Sequence, residues 1–319
     1  MKHYLITGAA GFIGSQLVEV LLNSGHRVTG IDNFSLGTRA HIAKAQQSKY
    51  YQMIETDLVE TSALIEHLKP VHSAHPIDEV WHLAANSDIS AGVSDSSIDL
   101  RNTFLTTHSV LSAMKELAIK HLAFSSTSAV YGVHDGAMKE DIGPLFPISN
   151  YGAMKLASEA AISAALESNL ERVWIFRFPN VVGPRATHGA IFDFIGRLRQ
   201  NPDELTVLGD GTQQKPYLHV SELLDAMIFI TTTAKEKMNY FNIGPSDTGA
   251  TVRSMAESVV KHMGGKAGIR YTGGDRGWVG DVPRFYYSVA KLEALGWKPS
   301  MDSAGALDRA IQDIIQENQ

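Results

Sequence analysis

The chain contains no cysteine, which excludes disulfide bonds, thiolate catalysis and cysteine-ligated zinc sites. It has no run of lysine or arginine and carries a net charge of −6, so binding to nucleic acid, which depends on basic patches, is not expected. No apolar run approaches the roughly 18 residues of a membrane-spanning helix. The first residues, MKHYLITGAAGFIG, form too short and glycine-broken a run for a signal peptide. These absences predict a soluble, cytoplasmic protein with no membrane partner.

The composition is that of an ordinary globular protein. Of the 319 residues, 44% are hydrophobic and 19% are charged, which is a balance typical of a chain with a packed core. The length exceeds that of one typical domain.

Two histidines in HSAH, at 72–75, have the spacing of metal ligands. We interpret this segment as a solvated loop and expect no metal site.

A glycine-rich turn lies between two apolar segments near the start of the chain. The first segment, HYLIT, reads as a strand and is followed by Gly8, Gly11 and Gly14. Apolar residues then recur at helical spacing, and HRVTGID reads as a second strand. This order forms one βαβ unit. Its glycines allow a sharp turn, close approach of a pyrophosphate to the backbone and tight helix–strand packing, and the positive end of the helix dipole favours the same phosphates.

Asp32 ends the second strand, 21 residues after Gly11. At this place a carboxylate can accept hydrogen bonds from the hydroxyls of an adenosine ribose. Its negative charge would repel a 2′-phosphate on that ribose. The sequence therefore predicts NAD as the cofactor in preference to NADP.

Strands and helices continue to alternate through the first half of the chain. The further strands are expected in YYQMIETDL, which would end at Asp57, and in DEVWHLAA and HLAFSSTSAVYG, with helices in LIEHLKP and LRNTFLTTHSVLSAMKELA. Such alternation predicts an α/β fold with a Rossmann-type, doubly wound parallel sheet. Ligands of such sheets bind at the carboxyl ends of the strands, where Gly8, Asp32 and Thr127 fall.

Tyr151 and Lys155 stand four residues apart and would share one face of a helix. A tyrosine ordinarily loses its proton near pH 10, and a neighbouring ammonium lowers that pKa because it stabilises the phenolate. Tyr151 could then act as a general base near neutral pH. The proton that such a base removes could come from a substrate hydroxyl. Thr127, at a strand end, could hydrogen-bond that hydroxyl. We predict Thr127, Tyr151 and Lys155 as the catalytic set.

Taken together, these motifs resemble those of the extended short-chain dehydrogenases/reductases, in the branch of NAD-dependent sugar-nucleotide epimerases and dehydratases. The likeness covers essentially the whole chain and is strongest to the UDP-glucose 4-epimerases. It rests on TGAAGFIGS, GIDNFSLG, TDL, HLAA, SSTSAVYG, YGAMK, FRFPNVVGPR, LGDGTQQKPYLHVSELLDA and GDRGWVGDVP.

The resemblance assigns cofactor-binding roles to individual residues. The set that it implies is Gly8, Gly11, Phe12, Ile13, Gly14, Asp32, Asn33, Asp57, Leu58, Leu83, Ala84, Ala85, Asn102, Tyr151 and Lys155. The glycine turn would hold the pyrophosphate, and Asp32 with Asn33 would hold the adenosine ribose. Asp57 and Leu58 would flank the adenine, and Asn102 would buttress the strand ends.

The second half would form a smaller α/β lobe that binds the nucleotide sugar. The resemblance implies a Rossmann domain of residues 1–179 and 220–246 and a substrate lobe of residues 180–219 and 247–319. The substrate contacts that it implies are Asn180, Ala190, Ile191, Val207, Leu208, Lys215 and Arg276. Lys215 stands where relatives usually have arginine. A lysine still neutralises a phosphate but cannot donate the two parallel hydrogen bonds of a guanidinium group.

The residues after Thr127 bear on the reaction. In the resembling family, 4,6-dehydratases carry an acidic pair there and decarboxylases a glutamate at the second position, whereas this chain has Ser128 and Ala129. The resemblance thus implies an epimerase that oxidises C4 of a UDP-sugar. The 4-keto sugar would turn over in the pocket and be reduced from the opposite face.

Three alternatives stay open at this point. A dehydratase or another sugar-nucleotide modifier could take its acid and base from elsewhere in the chain. A reductase that releases its cofactor is disfavoured by Asp32, because reductases generally use NADP. A non-catalytic dinucleotide-sensing protein is disfavoured because Tyr151 and Lys155 are both present. The identity of the sugar stays open, and the uracil base rests on resemblance alone.

The helix that contains Tyr151 also suggests an oligomer. Its segment GAMKLASEAAISAAL is apolar around most of the circumference, and a helix of that kind is buried on more than one side. The resemblance implies a four-helix interface between two subunits. We therefore expect a homodimer.

Overall fold

A computed structural model of the chain describes residues 1–134, 136–274 and 286–317. The strands are β1 (His3–Thr7), β2 (Arg27–Asp32), β3 (Tyr51–Glu55), β4 (Glu79–His82), β5 (His121–Ser125), β6 (Ala137–Met138), β7 (Arg172–Arg177), β8 (Asn180–Val182), β9 (Glu204–Val207), β10 (Gln214–Lys215), β11 (Tyr217–His219), β12 (Met238–Asn242), β13 (Ala250–Thr251), β14 (Gly268–Tyr271) and β15 (Tyr286–Tyr287).

The α-helices are α1 (Phe12–Asn23), α2 (Arg39–Ile42), α3 (Thr61–Ala74), α4 (Ile89–Ser94), α5 (Ser96–Asp99), α6 (Thr106–Glu116), α7 (Asn150–Ala165), α8 (Ala190–Gln200), α9 (Val220–Thr233), α10 (Val252–His262), α11 (Ala290–Leu295) and α12 (Ser303–Glu317). A π-helix spans Leu100–Leu105, and 3₁₀ helices span Ala45–Gln47 and Ser128–Tyr131. Within the described ranges, every helix is too short or too polar to cross a lipid bilayer.

Seven strands form one sheet in the order β12-β7-β5-β4-β1-β2-β3. Every neighbouring pair from β7 to β3 is parallel, so the carboxyl ends of these strands share one edge. The register aligns Thr7 with His82 and His82 with Phe124. The predicted Rossmann-type parallel sheet is confirmed, and its order reverses between β1 and β4, where sheets of this kind bind ligands.

Contacts along the chain define two compact units. The first comprises Met1–Gly132, Leu145–Arg177 and Ile230–Phe241, and the second comprises Val133–Pro144, Phe178–Phe229 and Asn242–Gln319. In the first unit, β1 and β4 are buried at every position, as is typical of parallel strands covered on both faces.

The core of the first unit packs strand side chains against α3, α6 and α7. Its members include Leu5, Ile31, Val80, Leu122, Val173, Leu64, Leu68, Val110, Met114, Ile162 and Leu166. The second unit has a separate core, formed mainly by α8, α10 and α12. Its members include Ile191, Phe194, Leu198, Met255, Val259, Leu307 and Ile311. Each unit therefore buries its own apolar cluster.

Three segments differ from the sequence predictions. The expected long helix from Leu100 begins as a π-helix and becomes α-helical only at Thr106. The strand expected through SSTSAVYG ends at Ser125, and Thr127 instead caps a 3₁₀ turn. The HSAH segment is not a loop, because its first three residues form the end of α3.

Candidate active site

The glycine turn joins β1 to α1 at the carboxyl edge of the sheet. Gly8 has a φ of +70°, which glycine adopts without steric cost. A Cβ atom at Gly14 would lie 2.0 Å from the carbonyl oxygen of Gly8, so only glycine permits this approach of helix and turn. No side chain caps the start of α1 within the described residues. The first-turn amides, which include those of Phe12 and Ile13, therefore fit a bound pyrophosphate.

Asp32 lies at the end of β2, beside the glycine turn. Its Oδ2 accepts a hydrogen bond of 2.9 Å from the amide of Ala10, and its Oδ1 accepts one of 2.8 Å from the amide of Phe34. Burial raises the pKa of Asp32, and these hydrogen bonds oppose that rise. A carboxylate has about four acceptor positions, so Asp32 keeps acceptor capacity for ribose hydroxyls. The side chain of the neighbouring Asn33 lies near that of Asp57 and helps to lower the pKa of that carboxyl.

Asp57 follows β3 and is held by an arginine. Arg101 Nη2 donates to Asp57 Oδ2 at 2.7 Å, and Arg101 Nη1 donates to Asn102 Oδ1 at 2.8 Å. Burial raises the pKa of Asp57, but the hydrogen bond and the charge of Arg101 outweigh it and bring the pKa below its usual range. Leu58, the next residue, is buried. The structure thus brings Asn33, Asp57 and Asn102 together around Arg101, which the sequence analysis did not identify.

Thr103, the neighbour of Asn102, hydrogen-bonds the chain that follows β4. Thr103 is buried, and its hydroxyl accepts a hydrogen bond of 3.2 Å from the amide of Asn86. Asn102 and Thr103 both lie in the π-helix. Its wider turn changes which of its side chains faces inward. A pattern read with regular α-helical spacing could not distinguish these two neighbours.

A buried chain of hydrogen bonds fixes the turn after β4. Thr7 Oγ1 accepts from the amides of Leu83 and Ala84, at 3.2 Å each. Its single proton is therefore donated to His82 Nδ1, 2.7 Å away. The other ring nitrogen of His82 carries the proton and donates to Thr107 Oγ1 at 3.0 Å. Burial lowers the pKa of His82 to about 3, so the ring is neutral.

The turn that His82 supports is also close to the glycine turn. A Cβ atom at Gly8 would lie 2.9 Å from the amide nitrogen of Ala84. Leu83, Ala84 and Ala85 therefore follow the end of β4 directly beside the glycine turn. Small residues here leave room for a flat ring against the backbone.

Thr127, Tyr151 and Lys155 lie together in the first unit. Ser149 caps α7 by accepting a hydrogen bond from the amide of Gly152 at 3.1 Å, which places Tyr151 in the first turn. The Thr127 side chain lies beside the Tyr151 hydroxyl and acts to lower its pKa. Lys155 is buried, and its Nζ lies 6.0 Å from the centroid of the Tyr151 ring. The predicted catalytic side chains are thus brought to one place at the end of β5.

The electrostatics of this pair differ from the sequence expectation. Burial raises the pKa of Tyr151 to about 12, although the nearby Thr127 side chain opposes the rise. Burial lowers the pKa of Lys155 to about 7. The sequence analysis expected a lowered pKa for Tyr151 from the ammonium alone. The polypeptide produces the opposite direction because the Tyr151 hydroxyl is itself buried, and the charge of Asp99 adds to the rise.

The residues expected to contact substrate belong to the second unit. Asn180 begins β8, and its side-chain nitrogen donates to the carbonyl of Pro216 at 3.4 Å. Ala190 and Ile191 begin α8, where Ile191 is buried. Lys215 lies in β10, which pairs with β13.

The two residues expected at the nucleobase differ in exposure. Val207 ends β9 and is fully buried, whereas Leu208 is 50% exposed. Arg276 lies outside the described residues. No group of three or more histidine, aspartate or glutamate side chains suited to a metal ion occurs in the parts of the chain that the structure describes.

Comparisons with known proteins agree with this architecture. The UDP-glucose 4-epimerase of Azospirillum brasilense is 29% identical over 96% of this chain and 90% of its own length. A crystal structure of a UDP-galactose 4-epimerase is 31% identical, covers 99% of this chain and 100% of its own, and superposes with a TM-score of 0.85. The Bacillus cereus UDP-glucuronic acid 4-epimerase, crystallised with UDP-glucuronic acid and NAD, is 29% identical over 98% of this chain and 99% of its own, with a TM-score of 0.84.

The family model for NAD dependent epimerases and dehydratases matches residues 4–244. That range contains the glycine turn, Asp32, the turn after β4, and the Thr127, Tyr151 and Lys155 cluster. The chain belongs to the NAD-dependent epimerase/dehydratase family.

Proposed function

We propose that the protein is an NAD-dependent 4-epimerase of a UDP-sugar, with the UDP-glucose/UDP-galactose pair as its first candidate. The observation that carries this proposal is the cluster at the end of β5. There the side chains of Thr127 and Tyr151 lie together beside the buried Lys155. Such a cluster can remove a proton from a sugar hydroxyl and return it.

The glycine turn, Asp32 and the turn after β4 would hold NAD. The uncapped start of α1 would bind the pyrophosphate, and the free acceptor positions of Asp32 would bind the ribose. Bound NAD would supply the reversible hydride transfer that oxidises C4 of the sugar and reduces it again.

Tyr151 would act as the general base and then as the general acid. Its phenolate takes the proton of the 4-hydroxyl while C4 is oxidised, and the phenol gives a proton back to the 4-oxygen when C4 is reduced. Thr127 would share the hydrogen bond to that oxygen. Because burial alone raises the pKa of Tyr151, the positive charges of Lys155 and of the nicotinamide would be needed to stabilise the phenolate.

The residues after Thr127 favour epimerisation over loss of water. Ser128 and Ala129 form the first part of the 3₁₀ turn, and the amide of Ala129 donates to Thr127 Oγ1 at 3.1 Å. Neither residue has a carboxyl group that could remove a proton from the next carbon of the sugar or protonate a leaving hydroxyl. A dehydratase therefore remains the second candidate only if its acid and base come from another segment.

A second copy of the chain is the proposed protein partner. Leu100 and Leu105 of the π-helix are 46% and 39% exposed, and they precede α6 in the region expected to face another subunit. Burying such side chains would stabilise a homodimer. A mass by light scattering that equals one chain at micromolar concentration would contradict this part of the proposal.

A panel of UDP- and dTDP-sugars tests the reaction. We expect a product of unchanged mass and inverted C4 configuration, formed without added cofactor. A mass decrease of one water would instead identify a dehydratase. A requirement for stoichiometric reduced cofactor would identify a reductase, and the absence of any product with every sugar would support the non-catalytic alternative.

A further inference from the structure

Ser125, the last residue of β5, and the two residues that follow it each interact with a different residue of α7. The Ser125 carbonyl accepts a hydrogen bond from Lys155, and the Thr127 side chain lies beside the Tyr151 hydroxyl. Between them, the Ser126 hydroxyl donates to Glu159 in a short hydrogen bond. Tyr151, Lys155 and Glu159 are spaced by four residues each and so share one helix face. The strand end and the helix are therefore aligned at three successive points.

Glu159 is also one half of a buried ion pair. Arg177, the last residue of β7, donates from Nε to Glu159 Oε1 at 3.0 Å and from Nη2 to Oε2 at 2.6 Å. Both residues are buried, with exposures of 6% each. Arg177 Nη1 donates to the Tyr131 hydroxyl at 3.0 Å, and Tyr131 closes the 3₁₀ turn that Thr127 caps. A bidentate pair of this kind fixes orientation as well as distance.

Stability alone is a weak explanation for this arrangement, because apolar residues often replace a buried ion pair without loss of stability. The pair instead links α7, the end of β5, the end of β7 and the 3₁₀ turn. We propose that Glu159 and Arg177 are positioning residues that hold α7 in register with the end of β5, so that Tyr151 and Lys155 meet Thr127. The inference rests on the proposed function, since it assigns these residues to the same reaction.

The pair also carries charge next to Lys155. Burial lowers the pKa of Lys155, and the Glu159 carboxylate opposes that change. The other groups near the ammonium are Tyr151 on the same helix and His82 on β4, which is neutral because burial lowers its pKa to about 3. Arg177 is connected to this region by its hydrogen bonds to the Glu159 carboxylate. Replacing Glu159 with an uncharged residue should therefore lower the pH at which Lys155 loses its proton.

The test compares Glu159→Gln, Arg177→Lys and a matched control, Glu79→Gln. Glu79 is equally buried, accepts from Trp81 Nε1 at 2.6 Å and faces Lys2, but it lies at the amino end of β4. For Glu159→Gln we expect kcat on the best UDP-sugar to fall about ten- to hundredfold, with KM changed by less than about threefold. Glu79→Gln should lose thermal stability without a comparable loss of kcat.

A second measurement does not depend on turnover. In protein labelled with ε-13C lysine and saturated with NAD, the Lys155 signal is the one missing from Lys155→Met. Glu159→Gln should lower its titration midpoint by about one pH unit. Arg177→Lys keeps the positive charge but loses the paired hydrogen bonds of the guanidinium to Glu159. We therefore expect kcat to fall while the titration midpoint of Lys155 stays near that of the wild type.

The outcomes separate the two proposals. An unchanged Lys155 midpoint in Glu159→Gln would overturn the positioning inference, and so would a kcat loss no larger than that of Glu79→Gln. Failure of the wild type to convert any UDP-sugar would overturn the proposed function alone, because the Lys155 midpoint can be measured without a substrate. A shifted midpoint together with a selective kcat loss supports both.

Discussion

The ammonium nitrogen of Lys155 lies 2.6 Å from the backbone carbonyl oxygen of Ser125 and donates a hydrogen bond to it. The lysine is therefore held by the end of β5 and not by the tyrosine one helical turn before it. Its Nζ also lies 4.7 Å from the centroid of the Phe124 ring. Lys155 thus has a fixed position, 6.0 Å from the centroid of the Tyr151 ring, from which its charge can act on Tyr151.

Replacing Lys155 should impair two properties at once. In Lys155→Met we expect turnover to fall by at least about a hundredfold and bound NAD to be lost during purification, because the ammonium would serve both the phenolate and the cofactor. Lys120→Met is the control, since Lys120 Nζ also donates to a backbone carbonyl, that of Asn169 at 3.0 Å, but precedes β5. Retention of both turnover and NAD in Lys155→Met would contradict these roles.

Asp32 should decide the choice between NAD and NADP. We expect the wild type to bind NAD more tightly than NADP. Asp32→Asn should reduce the difference between the two affinities, because the amide has no charge to repel a 2′-phosphate. Asp32→Ala should in addition weaken NAD binding roughly tenfold or more, since the hydrogen bonds from Ala10 and Phe34 are lost as well. Titration calorimetry with both cofactors measures these effects. Tighter binding of NADP by the wild type would refute the argument.

Replacing Gly14 and Gly196 with alanine should change the stability of the protein in opposite directions. Gly14→Ala places a Cβ 2.0 Å from the Gly8 carbonyl oxygen, which should cost roughly 2 kcal/mol or more of stability and weaken NAD binding. Gly196 lies inside α8, and a Cβ there would have no atom within 4 Å. Gly196→Ala should therefore stabilise the protein by about 0.5–1 kcal/mol. Urea unfolding checks both signs, and destabilisation by Gly196→Ala would be inconsistent with the structure.

His82 should make the folded protein sensitive to acid. Its pKa is about 3 in the folded protein, whereas an unfolded histidine gains its proton near pH 6.5. Between these values the unfolded chain binds the additional proton, so stability rises with pH across this window. At pH 4.5 the effect opposes folding by on the order of 2 kcal/mol.

The comparison for His82 is the loss of stability between pH 7 and pH 4.5. His82→Gln should lose less stability over that range than the wild type, because the amide does not titrate. The control is His67→Gln, which changes an exposed histidine of α3 and should behave like wild type. Equal losses in the wild type and His82→Gln would contradict the account, because they would show that the folded ring gains its proton as readily as the unfolded one.

Sequence patterns predicted those parts of the fold and candidate site that depend on local spacing. The βαβ unit followed from the glycines and from Asp32, and the shared helix face of Tyr151 and Lys155 followed from their four-residue separation. Thr103 was missed because a π-helix alters the helical register. His82 and Glu159 were missed because their partners, Thr7 and Arg177, are distant in sequence. Only the folded sheet brings such residues together.

Tyr151 carries the central claim, and Tyr151→Phe tests it most directly. This change removes one oxygen and keeps the ring, so thermal stability and bound NAD should be nearly those of the wild type. Thr127→Val serves as the comparison, because it removes the hydrogen-bond partner and not the base, and should cause a smaller loss.

The decisive measurement is the kcat of Tyr151→Phe on the UDP-sugar that the wild type converts best. We expect it to fall by roughly a hundred- to ten-thousandfold, as is typical when a general base is lost, with NAD still bound. A variant that keeps most of the wild-type kcat would contradict the account, because the proton of the 4-hydroxyl would then leave by a route that does not include Tyr151.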